Sequence, residues 1–421
     1  MIFENSLAFA AHLDASDTLA RFRELFYIPK IGGKDCIYLT GNSLGLMPKS
    51  ARTFVEQEFL DWQNLGVEGH TDAKNPWLFY HHFLTDSVMK IVGAKKEEVV
   101  VMNNLTVNLH LMMVSFYRPT VSRYKIIIED GAFPSDQYAV DSQVSFHGCD
   151  AQDAIIELKP RAGEHILLTE DILAEIERAG DALALVLLGG VNYYTGQLFD
   201  MQAITEKAHQ VGANCGFDLA HAAGNVPLHL HDWQVDFAVW CSYKYLNSGP
   251  GGTSGVFVHE KHHATENMPR FAGWWGHDEK ERFLMKRQFQ PIKGAQGWQL
   301  SNAQILPMAV HRASLEIFDQ AGMLRLREKS LKLTAYLEFI LGEVSTKGLH
   351  FELITPKNPE ERGCQLSVLV KENGKRLFDY LKSNGVIADW REPDVIRMAP
   401  VPLYNRFEDI YQLGQLLTRF A

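Results

Sequence analysis

Six short apolar runs restrict the fold more than any other feature of the chain. They are Val99-Val-Val-Met, Tyr124-Lys-Ile-Ile-Ile-Glu, Leu183-Ala-Leu-Val-Leu-Leu, Cys215-Gly-Phe-Asp, Phe237-Ala-Val-Trp and Ser254-Gly-Val-Phe-Val, with stretches of helical spacing between them. Runs without polar alternation fit strands buried on both faces, and strands that alternate with helices build a mainly parallel sheet. The predicted class is therefore α/β, a sheet covered by helices on both faces, with ligands outside the strand ends. Further patterning divides the chain into an N-terminal arm (residues 1–45), a large domain (46–305) and a C-terminal α+β domain (306–421). In that last part a long helix from Ile305 to about Glu343 breaks near Gly322, and strands fall near 350, 365, 387 and 396. Helical spacing is also read at Leu19–Phe26, Glu56–Trp62 and Phe79–Val92.

Charge and cysteine usage remove several function classes. The balance of 41 basic against 51 acidic residues leaves a net −10, which argues against nucleic acid as a partner because phosphate binding needs a basic surface. The five cysteines, at 36, 149, 215, 241 and 364, show no C-x-x-C spacing, so reduced thiols are expected. No apolar run is long enough for a membrane span and no leader precedes the first helix, which predicts a cytoplasmic protein without a membrane partner. His259-Glu-Lys-His-His263 has the H-E-x-x-H spacing of a zinc site. It follows a strand directly, where two histidines four apart do not share a helical face, so no metal is expected there.

Chemistry concentrates in two strand ends. Asp236-Phe-Ala-Val-Trp-Cys-Ser-Tyr-Lys-Tyr-Leu-Asn carries Lys244 out of a buried run, and Gly249, Gly251 and Gly252 turn the chain just after it. Upstream, Asp218 ends another run and His221 follows three residues later. Lysines are seldom buried without employment, because desolvating an ammonium is costly. A strand-end acid, a nearby histidine and a strand-end lysine are the parts that hold pyridoxal 5'-phosphate: the lysine amine forms a Schiff base, and the acid keeps the pyridine nitrogen protonated. Thr106 stands where a helix N-cap belongs, Phe133 ends a strand where it can stack on a flat ring, and Pro134 opens a helix.

The stretches Gly216-Phe-Asp-Leu-Ala-His and Cys241-Ser-Tyr-Lys-Tyr-Leu-Asn resemble the kynureninase family of fold-type-I pyridoxal-phosphate enzymes. The resemblance extends from Gly41-Asn-Ser-Leu-Gly-Leu to Ile396-Arg-Met-Ala-Pro-Val-Pro-Leu-Tyr-Asn. It implies hydrolysis of L-kynurenine or 3-hydroxykynurenine to anthranilate or its 3-hydroxy form plus L-alanine, in tryptophan catabolism and NAD biosynthesis. By the same resemblance Lys244, Tyr243 and Asp218 are catalytic, and Leu105, Thr106, Phe133, Pro134, Ser135, Asp136 and His221 hold the cofactor. Trp274 and Asn302, on glycine-rich loops, complete the site of a neighbouring subunit in a homodimer. His70 and Asn302 face the substrate's aromatic end, with a lean towards 3-hydroxykynurenine, and Arg397 clamps its α-carboxylate. Gly189 stands where the family often has serine, so one side-chain contact to the cofactor is expected to be missing.

Two other readings compete. A cysteine desulfurase or selenocysteine lyase would need a nucleophilic cysteine on a mobile loop, for which Cys364 is the late candidate. A non-catalytic pyridoxal-phosphate carrier would keep Lys244 without turnover.

Overall fold

The computed structural model describes residues 2–265, 268–346 and 348–420. All six apolar runs form strands, and a seventh joins them. The strands are β1 (Val99–Val101), β2 (Lys125–Glu129), β3 (Ile155–Leu158), β4 (Leu183–Gly189), β5 (Asn214–Asp218), β6 (Phe237–Cys241) and β7 (Ser254–Val258). Their order across the sheet is β1-β7-β6-β5-β4-β2-β3. Strands β2 to β6 pair in parallel, whereas β7 runs antiparallel to both β6 and β1. The unpredicted strand, β3, lies at the sheet edge with three of its four residues incompletely buried, and its apolar residues Ile155, Ile156 and Leu158 are interrupted by Glu157.

The longer helices are α1 (Leu7–Ala15), α2 (Ala51–Leu65), α3 (His82–Val92), α4 (Leu105–Phe116), α5 (Pro134–Phe146), α6 (Thr169–Ala179), α7 (Met201–Gln210), α8 (Ile305–Ala321), α9 (Met323–Ser345), α10 (Gly374–Ser383) and α11 (Phe407–Phe420). The predicted break at Gly322 separates α8 from α9, and its φ of +77° is a conformation that suits glycine. Two helical expectations change. Leu19–Phe26 is a short 3-10 turn over Ala20–Leu25, and the segment from Phe79 becomes helical only at His82, after a 3-10 turn at Trp77–Phe79 that follows Pro76.

A second, four-stranded antiparallel sheet forms from β8 (Glu352–Leu353), β9 (Leu366–Leu369), β10 (Asp389–Arg391) and β11 (Val395–Met398), in the order β8-β9-β11-β10. Its core joins Ala10, Leu13, Ile37 and Leu39 from the start of the chain to Leu337, Ile340, Val368 and Leu413. Asp14 fixes this junction: its two carboxylate oxygens accept from the backbone N–H groups of Phe407 (2.8 Å) and Glu408 (2.9 Å), at the positive end of α11.

Glycines in the central sheet make room for aromatic rings on the next strand. Gly255 pairs with Trp240 and Gly216 with Phe237, and a methyl group on either glycine would stand inside the facing ring. Trp240 is fully buried, so its ring has nowhere to move. Gly255→Ala is therefore expected to destabilise the protein by about 1–3 kcal/mol through overpacking. Denaturant unfolding followed by tryptophan fluorescence checks this, and an unchanged midpoint would show that the strand pair can relax.

Candidate active site

Three parallel strands end in functional groups at one edge of the sheet. Glu129 closes β2, Gly189 closes β4 and Asp218 closes β5, with Gly189 and Asp218 paired in register. Strand β6 stops at Cys241, and Lys244 follows in a turn closed by bonds from Asn247 N to the Lys244 carbonyl and from Ser248 N to the Ser242 carbonyl. Asn247 adopts a φ of +51° and Gly249 a φ of +86°, the left-handed conformations that such a turn requires. Gly45 supports the turn from below, donating its N–H to the Tyr243 carbonyl at 2.8 Å.

These ends surround a cavity of about 380 Å³ lined by Leu105, Thr106, Glu129, Phe133, Ser135, Asp136, Gly189, Tyr193, Asp218, His221, Tyr243 and Lys244, among others. Lys244 Nζ lies 3.1 Å from His221 Nε2 and 5.7 Å from the centre of the Phe133 ring. His221 is buried, and burial, then the Lys244 charge, depress its pKa well below the ordinary imidazole value. A neutral His221 accepts the bond from the lysine ammonium. Burial keeps the Tyr243 phenol protonated to unusually high pH.

The opposite wall is acidic. Asp218 accepts from Ala220 N at 2.7 Å, and burial raises its pKa. Asp136 is raised well above the carboxylate range by burial and then by the Asp218 charge beside it, while Lys244 pulls both acids down. At the far end, Thr106 Oγ1 and Ser135 Oγ lie 2.8 Å apart at the N-termini of α4 and α5, where free N–H groups favour an anion. Here one expectation is corrected. The N-cap of α4 is Asn104, whose side chain accepts from Val107 N at 3.2 Å, and Thr106 sits inside the first turn. The Asn104 amide oxygen reaches the free N–H three residues on, and this leaves the Thr106 hydroxyl to turn towards Ser135.

Nine of the residues picked from sequence line this cavity, and five do not. Pro134 starts α5 next to it. Arg397 is buried behind the wall, where Nη1 donates to the Tyr193 carbonyl (2.7 Å), while Nη2 (2.8 Å) and Nε (3.2 Å) meet the Asp389 carboxylate. His70 Nδ1 bonds to the Val67 carbonyl (2.9 Å) and its ring meets Trp77 edge-on. Trp274 and Asn302 are exposed outside the cavity. His259 and His263, of the zinc-like motif, send their Nε2 atoms to separate carbonyls, those of His231 and Val258.

Tyr193 and Glu129 are among the cavity residues that escaped the sequence reading. Tyr193 stands edge-on to Phe133 at 5.4 Å. Glu129 is buried, with its oxygens accepting from Gly189 N (2.8 Å) and Asn192 Nδ2 (2.9 Å), and burial lifts its pKa to about 7. The available signal was an acid closing an apolar strand, the same signal that singled out Asp218. A methyl group on Gly189 would stand 3.1 Å from Glu129 Oε1, so the glycine leaves space for that carboxyl.

A carboxyl whose folded pKa exceeds its unfolded value contributes stability that is complete below about 4.5 and is lost as pH rises through about 7. Glu129→Gln, which carries no charge at any pH, is expected to gain stability over the parent between pH 5 and 8, on the order of 2 kcal/mol. Thermal midpoints of the two cofactor-free proteins across that range check this. A constant difference would place the titration elsewhere.

Comparison with known proteins agrees with this architecture. The kynureninase C-terminal domain profile matches residues 326–417. The kynureninase of Flavobacterium psychrophilum is 60% identical over 421 residues, covering 100% of this chain and 99% of that protein. The kynureninase of Flavobacterium johnsoniae is 56% identical over 420 residues, covering 100% and 99%. Among solved structures, a cysteine desulfurase from Escherichia coli superposes with a TM-score of 0.77 over 96% of this chain and 98% of its own, at 16% identity, a likeness of fold alone. With more than half of all positions shared along the entire length of these relatives, the chain belongs to the kynureninase family.

Proposed function

We propose that this chain catalyses hydrolytic Cβ–Cγ cleavage of L-kynurenine, 3-hydroxy-L-kynurenine or both, releasing anthranilate or 3-hydroxyanthranilate and L-alanine, with pyridoxal 5'-phosphate held at Lys244. The observation that carries this reading is the lining of the cavity, which brings together the acids Asp136 and Asp218, the hydroxyls of Thr106 and Ser135 at two helix N-termini, and one amine, Lys244. Pyridoxal phosphate has the matching polarity, a basic ring nitrogen and a dianionic phosphate on either side of an aldehyde. The raised acids Asp136 and Asp218 fit a cationic ring nitrogen that neither backbone nor side chains supply. Thr106, Ser135 and the first N–H groups of α4 fit the phosphate, and Phe133 fits the ring face.

When bound, the cofactor supplies an electron sink conjugated to the substrate's Cα. Asp218, with Asp136 beside it, holds the proton on the ring nitrogen. Lys244 Nζ would take the proton from the substrate's Cα, and His221, 3.1 Å from it, would keep that amine in place. After water has added to the side-chain ketone and the Cβ–Cγ bond has broken to release the aryl acid, Tyr243, protonated and next in sequence to the lysine, would deliver a proton to Cβ. Arg397 offers its planar fork to the substrate α-carboxylate by exchanging one of its contacts to Asp389 or the Tyr193 carbonyl. The desulfurase reading is weaker, because Cys364 is completely buried and burial raises its thiol pKa to about 12.

The same reading makes the active unit a homodimer, with a large domain over 46–305 and a small unit built from 1–45 and 306–421. Trp274 lies among Phe271, Phe283, Leu284 and Met285, all exposed, and a patch of this kind fits a surface that a second copy covers. Among the described residues, no helix is long and apolar enough to cross a membrane.

Incubation with L-kynurenine is expected to release anthranilate and alanine in equal amounts. Release of neither product by the cofactor-loaded protein would refute the proposal. Asp218→Asn should lower kcat by about 10²–10⁴-fold, roughly 3–5 kcal/mol of transition-state stabilisation, and near-normal turnover would remove Asp218 from its role. Mixing inactive Lys244→Ala and Asn302→Ala subunits should restore part of the activity through hybrid sites. No recovery despite verified subunit exchange would mean that each site is complete within one chain.

A further inference from the structure

Away from the Lys244 cavity, His81 presents an unexplained buried imidazole. It precedes α3, is 1% exposed, and neither ring nitrogen has a hydrogen-bond partner; Gln296 is a neighbour without bonding geometry. Leaving a buried polar group unpaired costs roughly 1–3 kcal/mol, so such a group calls for a missing partner. The ring of His82 lies against it, with centroids 4.3 Å apart, and His82 Nε2 is 3.2 Å from Glu279 Oε1. Ligand atoms of His81, His82 and Glu279 all fall within 4.8 Å of one another.

We propose that His81, His82 and Glu279 form a site for one borderline divalent cation of the zinc class. Two imidazoles and a carboxylate, with a fourth position left for water, are a donor set that zinc takes readily. A tetrahedral ion with bonds of about 2.0–2.2 Å spaces its donors roughly 3.4 Å apart. The pair His82 and Glu279 already stands at that spacing, and the His81 nitrogen lies within 4.8 Å of both. The nearest guanidinium, Arg282, is directed at the Trp275 and His277 carbonyls and lies 4.3 Å from the centre of the Trp275 ring.

A second cluster of similar spacing, Glu98, His231 and His259, differs in being internally satisfied. His231 Nδ1 bonds to Glu98, His259 Nδ1 accepts from Lys261 N, and His259 Nε2 bonds to the His231 carbonyl. Among the described residues, only the His81 cluster combines the donor set with open nitrogens. An ion there would tie the segment around Glu279, just beyond Trp274, to the start of α3. This inference is independent of the reading of the Lys244 cavity.

Chelator-treated holoenzyme dialysed against zinc chloride tests the proposal, with metal per chain and thermal midpoint as readouts. The expected result is one bound zinc per chain beyond that held by a His82→Asn/Glu279→Gln variant, in which binding weakens at least tenfold. Zinc should raise the thermal midpoint of the parent and leave that of the variant unchanged. His82 and Glu279 are partly exposed, so the variant should match the parent's circular dichroism and midpoint in metal-free buffer. His231→Asn should bind zinc as the parent does. Equal binding by parent and double variant, no binding by the parent, or loss of the zinc in His231→Asn would each overturn the proposal.

Discussion

Asp136 and Asp218 lie side by side at the edge of the sheet, both with carboxyls raised by burial, and the cation that draws both down is Lys244. Uncompensated buried charge is among the most costly arrangements a fold can contain. Parallel strands make it hard to avoid here, because β2, β5 and β6 all deliver their last residues to the same edge. The arrangement is consistent with a site built around a positively charged ring held between acid and lysine, with much of its electrostatic balance supplied by the cofactor. Strain of this kind concentrates where function does.

Glu129 extends the same logic away from the cofactor. It holds Gly189 N and Asn192, and the Asn192 side-chain oxygen in turn accepts from the N–H groups of Tyr194 and Thr195. The Tyr193 carbonyl accepts from Arg397 and from Gln365, and the Tyr194 carbonyl accepts from Ser367. One loop thus joins a carboxyl that titrates near neutrality to the arginine assigned to the substrate carboxylate. Hydrogen bonds through main-chain atoms connect Glu129 to Arg397, a connection that no side-chain motif encodes.

The strand-end lysine and acid were legible in the sequence because their chemistry is local: an apolar run, then a polar residue, then glycines or a helix start. The break at Gly322 was legible for the same reason. Glu129 closes an apolar strand as Asp218 does, but the contacts that give it significance, with Gly189 and Asn192, lie some sixty residues away in sequence. Thr106 was assigned the cap that Asn104 makes, because either residue type can cap a helix and only backbone geometry separates them. The edge strand β3 gave only a short signal, because Glu157 interrupts its apolar residues and a helical turn at Ala151–Ala154 runs directly into it. His70, Trp274 and Asn302 came from family resemblance alone, and a single chain leaves them outside the cavity.

The central claim is that Lys244 is the residue that carries the cofactor. Borohydride reduction of the yellow holoenzyme, followed by peptide mapping, tests it most directly. The account predicts bleaching of the visible band and a single pyridoxyl group fixed on the peptide containing Lys244. A label on any other lysine, or a protein loaded with cofactor that carries no reducible linkage, would contradict it.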